Sequence, residues 1–264
     1  MIELKSIYFK REERQILNDV NLEIREGEHW VLLGKNGSGK TTILELINGY
    51  LFPSSGSVRV LGHPYGQCDV REVRKQIGYI SQSLFEKLTP GDPVWEAVAA
   101  AEYGYLRFYE EIPQEAIDKA RVMIDKVELG HVADQPLGTL SQGERKKILL
   151  ARALMTDPAV LVMDEPCSGL DLYEREKLLQ SINDLQNTGV SILYVTHHIE
   201  EIMPIFTHIA LISEGKIVAA GPKKEVLTEQ NLRNAYDVPV TLEWNGDRPW
   251  IQVVPNGSAA PASI

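Results

Sequence analysis

Residues 34–42, Gly34-Lys35-Asn36-Gly37-Ser38-Gly39-Lys40-Thr41-Thr42, carry the spacing Gly-x4-Gly-Lys-Thr. These residue types in this order make a phosphate-binding loop. Glycines let the backbone curl until successive N–H groups point inward at phosphate oxygens, and the helix that follows turns its positive end to the same anion. In such a loop Lys40 bridges the β- and γ-phosphates and the Thr41 hydroxyl ligates Mg²⁺. The plain alternative is a glycine-rich strand-to-helix turn. Further on, the apolar run Val160-Leu161-Val162-Met163 ends in two carboxylates, Asp164 and Glu165. Ligands of open α/β sheets sit at the carboxyl ends of strands, so the pair is expected to face the phosphate loop. Asp164 would hold the metal, directly or through water, and Glu165 would polarise an attacking water as general base. The alternative is that both cap the turn before Pro166. Tyr194-Val195-Thr196 ends in His197 and His198, and His197 is placed to contact a γ-phosphate and report its loss. Neighbours on an extended strand point to opposite faces, which argues against one metal ion taking both histidines. Leu140-Ser141-Gln142-Gly143-Glu144 opens an apolar helix; Ser141 and Glu144 have capping-box spacing, and such a helix start is also an anion site.

The elements that must position these groups are legible from apolar periodicity. Residues 4–9 and 16–24 alternate and read as strands. Residues 30–33 form a short continuous apolar run, the pattern of a strand buried on both faces, and lead through the loop into a helix over 43–47. Further strands are expected at 57–61 and 77–81. From about 84 to 140 the pattern is helical, with Val94, Val98, Ala101, Tyr105 and Phe108 near helical spacing, a second helix at 116–127 and a third from Ser141. Strands return at 159–163 and 191–196 around a helical stretch at 173–186. Residues 209–212 and 217–220 form a hairpin, and 241–244 with 250–254 form a second around the turn Asn245-Gly246. Residues 255–264 have the composition of a frayed tail. Of the aromatics Phe85, Trp95, Tyr103, Tyr105, Phe108 and Tyr109, most are expected in the core, and Cys167 reads as a small buried filler.

Interleaved strands and helices predict an α/β fold: a P-loop NTPase core with a mostly parallel sheet, an N-terminal antiparallel β subdomain and an inserted helical subdomain at about 83–157. The expected division is 1–240 for the main domain and 241–264 for a short hairpin and tail.

Composition narrows the function class. Of 264 residues, 27 are Lys or Arg and 37 are Asp or Glu, a net charge of −10, which argues against a general nucleic-acid binder. The 44% apolar share is ordinary for a protein with a real core. No apolar run approaches the roughly 18 residues of a membrane span, and residues 1–5 lack the apolar region of a signal peptide. Cys68 and Cys167 form no disulfide framework, so a reducing cytosol is expected. A GTPase is disfavoured by the lack of an Asn-Lys-x-Asp motif.

Taken together, the motifs resemble the ATP-binding cassette (ABC) ATPases, the motor subunits of ABC transporters. Six elements stand in that family's order: the loop 34–42, a lone Gln82, the signature 140–144, the Asp164-Glu165 pair, the loop Ser168-Gly169-Leu170-Asp171, and His197. The resemblance covers about residues 1–235. It implies Mg-ATP as ligand and head-to-tail pairing, either a homodimer or a pair with a second cassette. Each ATP then lies between one phosphate loop and the partner's signature, with Ser141 and Gly143 reaching the γ-phosphate in trans. It implies that Gln82 contacts Mg²⁺ and relays movement to a separate transmembrane permease, and that Asp171 couples the two sites. The protein would work at the cytoplasmic face of the membrane. A soluble, non-transport ABC ATPase acting in assembly, repair or translation is the alternative. The sequence departs from the usual Leu-Ser-Gly-Gly-Gln signature at Gln142 and Glu144, and His198 stands where an aspartate often follows the histidine. Arg11 holds the position of the family's adenine-stacking aromatic; a guanidinium plane stacks on a base, and Tyr8 or Phe9 could serve instead.

Overall fold

Apolar residues at alternate positions give each N-terminal strand one inward face, and a local bulge keeps it inward. β1 (Ile2–Arg11) and β2 (Arg14–Ile24) pair antiparallel, Ile2 opposite Ile24 and Arg11 opposite Arg14. The buried residues of β1 are Ile2 and Leu4, then Ile7 and Phe9, so the alternation slips by one. Ser6, at φ 47°, absorbs the slip, and its N–H donates to Asn21 Oδ1 at 2.8 Å. Without that bulge a one-residue shift would turn Ile7 and Phe9 to solvent. Asp19, at φ 55°, does the same in β2 between buried Leu17 and Val20.

The structure, a computed structural model, describes residues 1–109 and 111–254, so the tail expected at 255–264 lies outside the described residues. The chain divides into two units, Met1–Cys68 with Leu193–Ile264, and Asp69–Ile192. In the first, β3 (His29–Leu33) is buried at all five residues and is followed by α1 (Lys40–Ile47). β4 (Ser55–Val60) and β5 (His63–Pro64) complete an antiparallel sheet of order β2-β1-β4-β5.

The second unit opens with α2 (Val70–Arg74), capped by Asp69, and β6 (Ile77–Ile80). Two short helices follow, α3 (Gln82–Phe85) and α4 (Val94–Ala99), and after a loop the longer α5 (Gln114–Lys126). α6 (Gln142–Leu154) leads to β7 (Val160–Asp164), which runs parallel to β6 with Ile77 opposite Val160. α7 (Leu172–Asn183) completes the unit, and within β8 (Ser191–Thr196) the chain passes back to the first unit. There β9 (His208–Ser213) runs parallel to β3, and β10 (Lys216–Pro222) pairs antiparallel with β9. α8 (Lys223–Val226), α9 (Glu229–Tyr236) and the hairpin β11 (Val240–Asn245) with β12 (Arg248–Val253) end the described chain. These parallel pairs and the N-terminal antiparallel sheet are the α/β fold expected from the sequence.

Three local expectations are corrected. The helix expected to continue through Tyr105 and Phe108 stops early, because α4 passes into a 3₁₀ turn (Ala100–Tyr103) that ends at Gly104 with φ 71°. A left-handed residue turns the chain out of the helix, so the helical spacing beyond it is coincidental. Tyr103, Tyr105 and Phe108 instead pack ring against ring, at centroid distances of 5.5–6.0 Å. Tyr103, Tyr105 and Tyr109 are exposed, Tyr109 at 91%, and Phe85, Trp95 and Phe108 are half-buried, so this aromatic group is not core. In the last hairpin Asn245 pairs with Arg248, which leaves Gly246-Asp247 as the turn, one residue later than expected. The positive φ of 61° falls on Gly246 at the first loop position. Cys167 is buried as expected.

α4, α5 and α6 pack together, burying Val98, Ala120, Ile124 and Ile148. Arg152 of α6 is buried with them and donates to the carbonyls of Ala97, at the end of α4, and of Tyr105. Burial lowers its pKa to about 10, so it stays charged at neutral pH and suits the negative end of α4. A buried acceptor left unpaired costs about 1–3 kcal/mol and the part-buried carbonyl of Tyr105 adds about 1 kcal/mol, so Arg152→Met is expected to lose about 2–4 kcal/mol in urea unfolding. A loss too small to resolve would show that the guanidinium is not needed there. A second expectation concerns β3. His29 is buried, its Nδ1 has no hydrogen-bond partner among the described residues, and burial lowers its pKa below 6.5. Below that pH the unfolded chain takes up a proton that the folded chain refuses, so stability falls as pH drops through 6.5. His29→Phe is expected to shrink the difference in urea midpoint between pH 7.5 and pH 5.5; an unchanged difference would assign it to other groups.

Candidate functional site

The phosphate loop is shaped by what surrounds it. A Cβ at Gly34 would lie 2.3 Å from the carbonyl oxygen of Ile212, at the end of β9, so only glycine passes there. Gly39 has φ 108° and lies so close to Leu17 that a Cβ would sit 2.7 Å from its Cδ2. The loop is tied to the turn after β9 by Gly215 N–H donating to Ser38 O at 3.0 Å. Lys40 is only 5% exposed, and its Nζ donates to Gly34 O at 2.8 Å and Lys35 O at 3.0 Å. This closes a ring of backbone around the ammonium group. Ser38 is also buried, and its Oγ has no hydrogen-bond partner among the described residues. No side chain caps the start of α1, since Gly39 is the N-cap. A buried cation, an unsatisfied hydroxyl and a helix start without a side-chain cap together fit a phosphate group. Lys35, Asn36, Gly37 and Thr41 are exposed and Thr42 is half-buried. Beside the loop a cleft of about 280 Å³ is lined by Arg14, Gln15, Ile16, residues 35–38 and residues 213–215.

Arg11 does not line this cleft. It is exposed at the end of β1 and reaches Glu45 of α1 at 4.0 Å. Of the alternatives, Phe9 is buried in the sheet face and Tyr8 is exposed.

His197 follows β8 in the same unit. Its ring and that of His198 lie 4.0 Å apart at 40°, so they are side by side and not on opposite faces as expected. The reason is that β8 ends at Thr196, and the alternation of an extended strand ends with it. Among the described residues no group of three or more His, Cys, Asp or Glu could hold a metal ion. Beneath the pair lies a carboxylate that the sequence reading missed. Glu201 is buried and accepts from Tyr194 OH at 2.9 Å and Thr196 Oγ1 at 2.6 Å. Burial pushes its pKa up, against the two hydroxyls that favour the ionised form. Thr196 Oγ1 also accepts from His198 N–H at 3.0 Å, which joins Glu201 to the loop.

In the second unit Asp164 and Glu165 stand half-buried at the end of β7. Glu165 has φ 45°, a left-handed conformation uncommon for a residue with a side chain. Lys146 of α6 is buried nearby and was not singled out by the sequence; burial lowers its pKa, and the charges of Cys167 and Asp164 oppose that shift. Ser141 and Glu144 form the capping box, with Glu144 N–H to Ser141 Oγ at 3.3 Å and Ser141 N–H to Glu144 Oε2 at 2.7 Å. Ser141 is exposed, and Gly143 packs so tightly on Glu174 of α7 that a Cβ would meet its Oε2 at 2.1 Å. Asp171 N-caps α7, accepting from Glu174 N–H at 2.9 Å. Gln82 is exposed at the start of α3, its Nε2 3.4 Å from Glu86 Oε1.

Residues 17–168 match the ABC transporter family. The chain is 41% identical over 254 residues to the ABC transporter ATP-binding protein YlmA of Bacillus subtilis (strain 168), covering 95% of this chain and 96% of that one. Among solved structures it is similar to the dimeric ATP-binding cassette MJ0796 in a post-hydrolysis state bound to ADP and Pi. There the identity is 26%, the TM-score 0.73, and the coverage 84% of this chain and 98% of that one. It is likewise similar to CbiO1 of Clostridium perfringens, part of the ABC transporter complex CbiONQ, with 26% identity, TM-score 0.75, and coverage of 88% and 92%.

The clash at residue 34 makes the loop testable. Gly34→Ala is expected to weaken binding of a fluorescent adenine nucleotide by at least tenfold, about 1.4 kcal/mol. Retention of full affinity would mean that the loop moves away from Ile212 without cost.

Proposed function

The chain belongs to the ABC transporter family as an ATP-binding, ATP-hydrolysing cassette, and on that premise we propose how its own residues bind and split ATP. The observation that carries the reading is the phosphate loop, with Lys40 ringed by backbone carbonyls and Ser38 Oγ without a hydrogen-bond partner among the described residues. Lys40 exchanges those carbonyls for β- and γ-phosphate oxygens when ATP enters, and the N–H groups of residues 35–42 line the phosphates. Thr41, Gln82 and Asp164 offer hydroxyl, amide and carboxylate oxygens, a hard donor set that suits Mg²⁺. Mg²⁺, when bound, offsets the charge that develops on the phosphates. Glu165 takes a proton from the attacking water, and its left-handed backbone supports a role that fixes the direction of its carboxylate. His197 contacts the γ-phosphate and registers its departure. Arg11 lies outside the cleft beside the loop, so a stacking role on adenine rests on its exposed guanidinium plane alone.

Two such cassettes, identical or different, close on ATP, with Ser141 and Gly143 of one reaching the nucleotide on the other and Asp171 coupling the two sites. The dimeric state of MJ0796 supports this pairing. The closing and opening drive solute movement through a separate transmembrane permease at the cytoplasmic face of the membrane, a reading supported by the membership of CbiO1 in a transporter complex. Among the described residues no helix is long and apolar enough to cross a membrane.

Loss of a general base costs about 10²–10⁴ in rate, so Glu165→Gln is expected to bind ATP normally and to lose at least a hundredfold in turnover. Its mass in solution is expected to shift from monomer to dimer on addition of Mg-ATP. Turnover within a few-fold of the parent would remove Glu165 as the base. A monomer with ATP bound would place pairing in the hands of the permease or of a second cassette. Lys40→Ala is expected to lose nucleotide affinity, because it deletes a charge-assisted phosphate contact; unchanged affinity would sink the loop assignment.

A further inference from the structure

The C-terminal elements of the first unit do something that a hairpin added for stability would not require. The loop after β8 is held at two of its backbone carbonyls by side chains from beyond β10. Tyr236, the last residue of α9, donates its hydroxyl to His197 O at 3.3 Å, and Arg248, the first residue of β12, donates Nε to Glu200 O at 2.7 Å. Burial, with the neighbouring charge of Glu200, pushes the Tyr236 phenol above its ordinary range, so it remains a proton donor throughout the working pH range.

Both donors are themselves anchored. The hairpin turn is held by Lys223, a buried lysine whose Nζ donates to Asp247 O at 3.0 Å and Met203 O at 3.4 Å. β11 is tied to α9 by Leu242 N–H donating to Glu229 Oε1 at 3.1 Å. The Arg248 guanidinium lies 5.1 Å from the centroid of the Trp250 ring. From the core side the same loop is held by Glu201 through Thr196. A buried lysine is costly to desolvate, and here it fixes a turn that is otherwise exposed. The arrangement makes sense when the turn carries Arg248 to a fixed place.

We propose that Tyr236 and Arg248 are positioning residues for ATP hydrolysis, setting the height and angle of His197 through the backbone of residues 197–200. The inference rests on the reading of His197 as the group that senses the γ-phosphate. Neither side chain touches nucleotide; both act through the loop. The hairpin is thereby part of the hydrolytic machinery and not an appendage to it.

The test is steady-state ATP hydrolysis by the full chain, with thermal unfolding as a check on folding. Tyr236→Phe removes one hydroxyl and keeps the ring. A lost hydrogen bond of this kind corresponds to about three- to tenfold, which is expected in kcat, with the KM for ATP within about twofold of the parent. In a His197→Ala background the same substitution is expected to change kcat by less than about twofold, because the hydroxyl then has nothing to position. Arg248→Met is expected to lower kcat in the same way, and Arg248→Lys, which restores a donor, to recover most of it. Parent kcat in Tyr236→Phe, or an equal fold-loss with and without His197, would overturn the inference while leaving the loss in His197→Ala to support the histidine's role. Parent kcat in His197→Ala would overturn the histidine reading itself, and the inference with it.

Discussion

The carbonyl oxygen of Ile212 stands where any side chain at residue 34 would have to go. That single close approach sets the phosphate loop, because it fixes the point at which the chain leaves β3 and begins to curl. It exists because β3 and β9 pair in parallel with Leu33 opposite Leu211, and five buried residues of β3 hold that register. The turn after β9 continues the constraint: Gly215 donates to Ser38 O and accepts from Asn18 N–H at 2.9 Å. Three stretches far apart in sequence, near residues 17, 38 and 215, therefore close on one another around the loop. Inside that closure Lys40 can be buried, because two carbonyls of the same curl receive its ammonium group. A looser loop would leave the lysine in water and give phosphate no preformed cradle.

The second unit solves a related problem along α6. Its first turn is closed by the capping box, while further along it carries three buried cations, Lys146, Lys147 and Arg152. Lys147 donates to Val127 O at 3.3 Å and Glu128 Oε2 at 3.4 Å, and Arg152 takes the carbonyls of Ala97 and Tyr105. Lys146 is held below its ordinary pKa by burial, against the opposing influence of Cys167 and Asp164. Two of these cations tie α6 to different neighbours, Lys147 to the end of α5 and Arg152 to the end of α4. The helix that begins with the signature is thus held at two points by charge placed against carbonyls and a carboxylate, with the exposed Ser141 at its start.

Much of this was legible because the chemistry is local in sequence. A phosphate loop needs its glycines, lysine and hydroxyl within a few residues, and the strand before it announces itself by continuous burial. That Asp164 and Glu165 end an apolar strand was legible for the same reason, as was the capping box at Ser141. What escaped reading was non-local. Glu201 acquires meaning only from the hydroxyls of Tyr194 and Thr196, Lys146 only from Asp164, and Tyr236 only from a carbonyl in a loop that precedes it by three elements. The aromatic segment after α4 misled because one left-handed glycine at 104 erases a periodicity that continues in the letters. The histidine pair misled because both residues, 197 and 198, lie past the strand's end at Thr196, where the strand rule no longer holds.

The division of the first unit into two stretches of sequence bears on how the protein is made. The hydrogen bond between His29 N–H and Thr207 Oγ1 spans 178 residues. A ribosome delivers β3 and the curl after it early, and β9, α9 and β12 last. Until those arrive, Trp30, Val31, Leu32 and Leu33 have no parallel partner in β9, and an unpaired apolar strand is an aggregation hazard. The inserted unit, Asp69–Ile192, is contiguous and is made between the two stretches of its host. Translation time across the insert therefore sets how long the nascent β3 lacks its β9 partner.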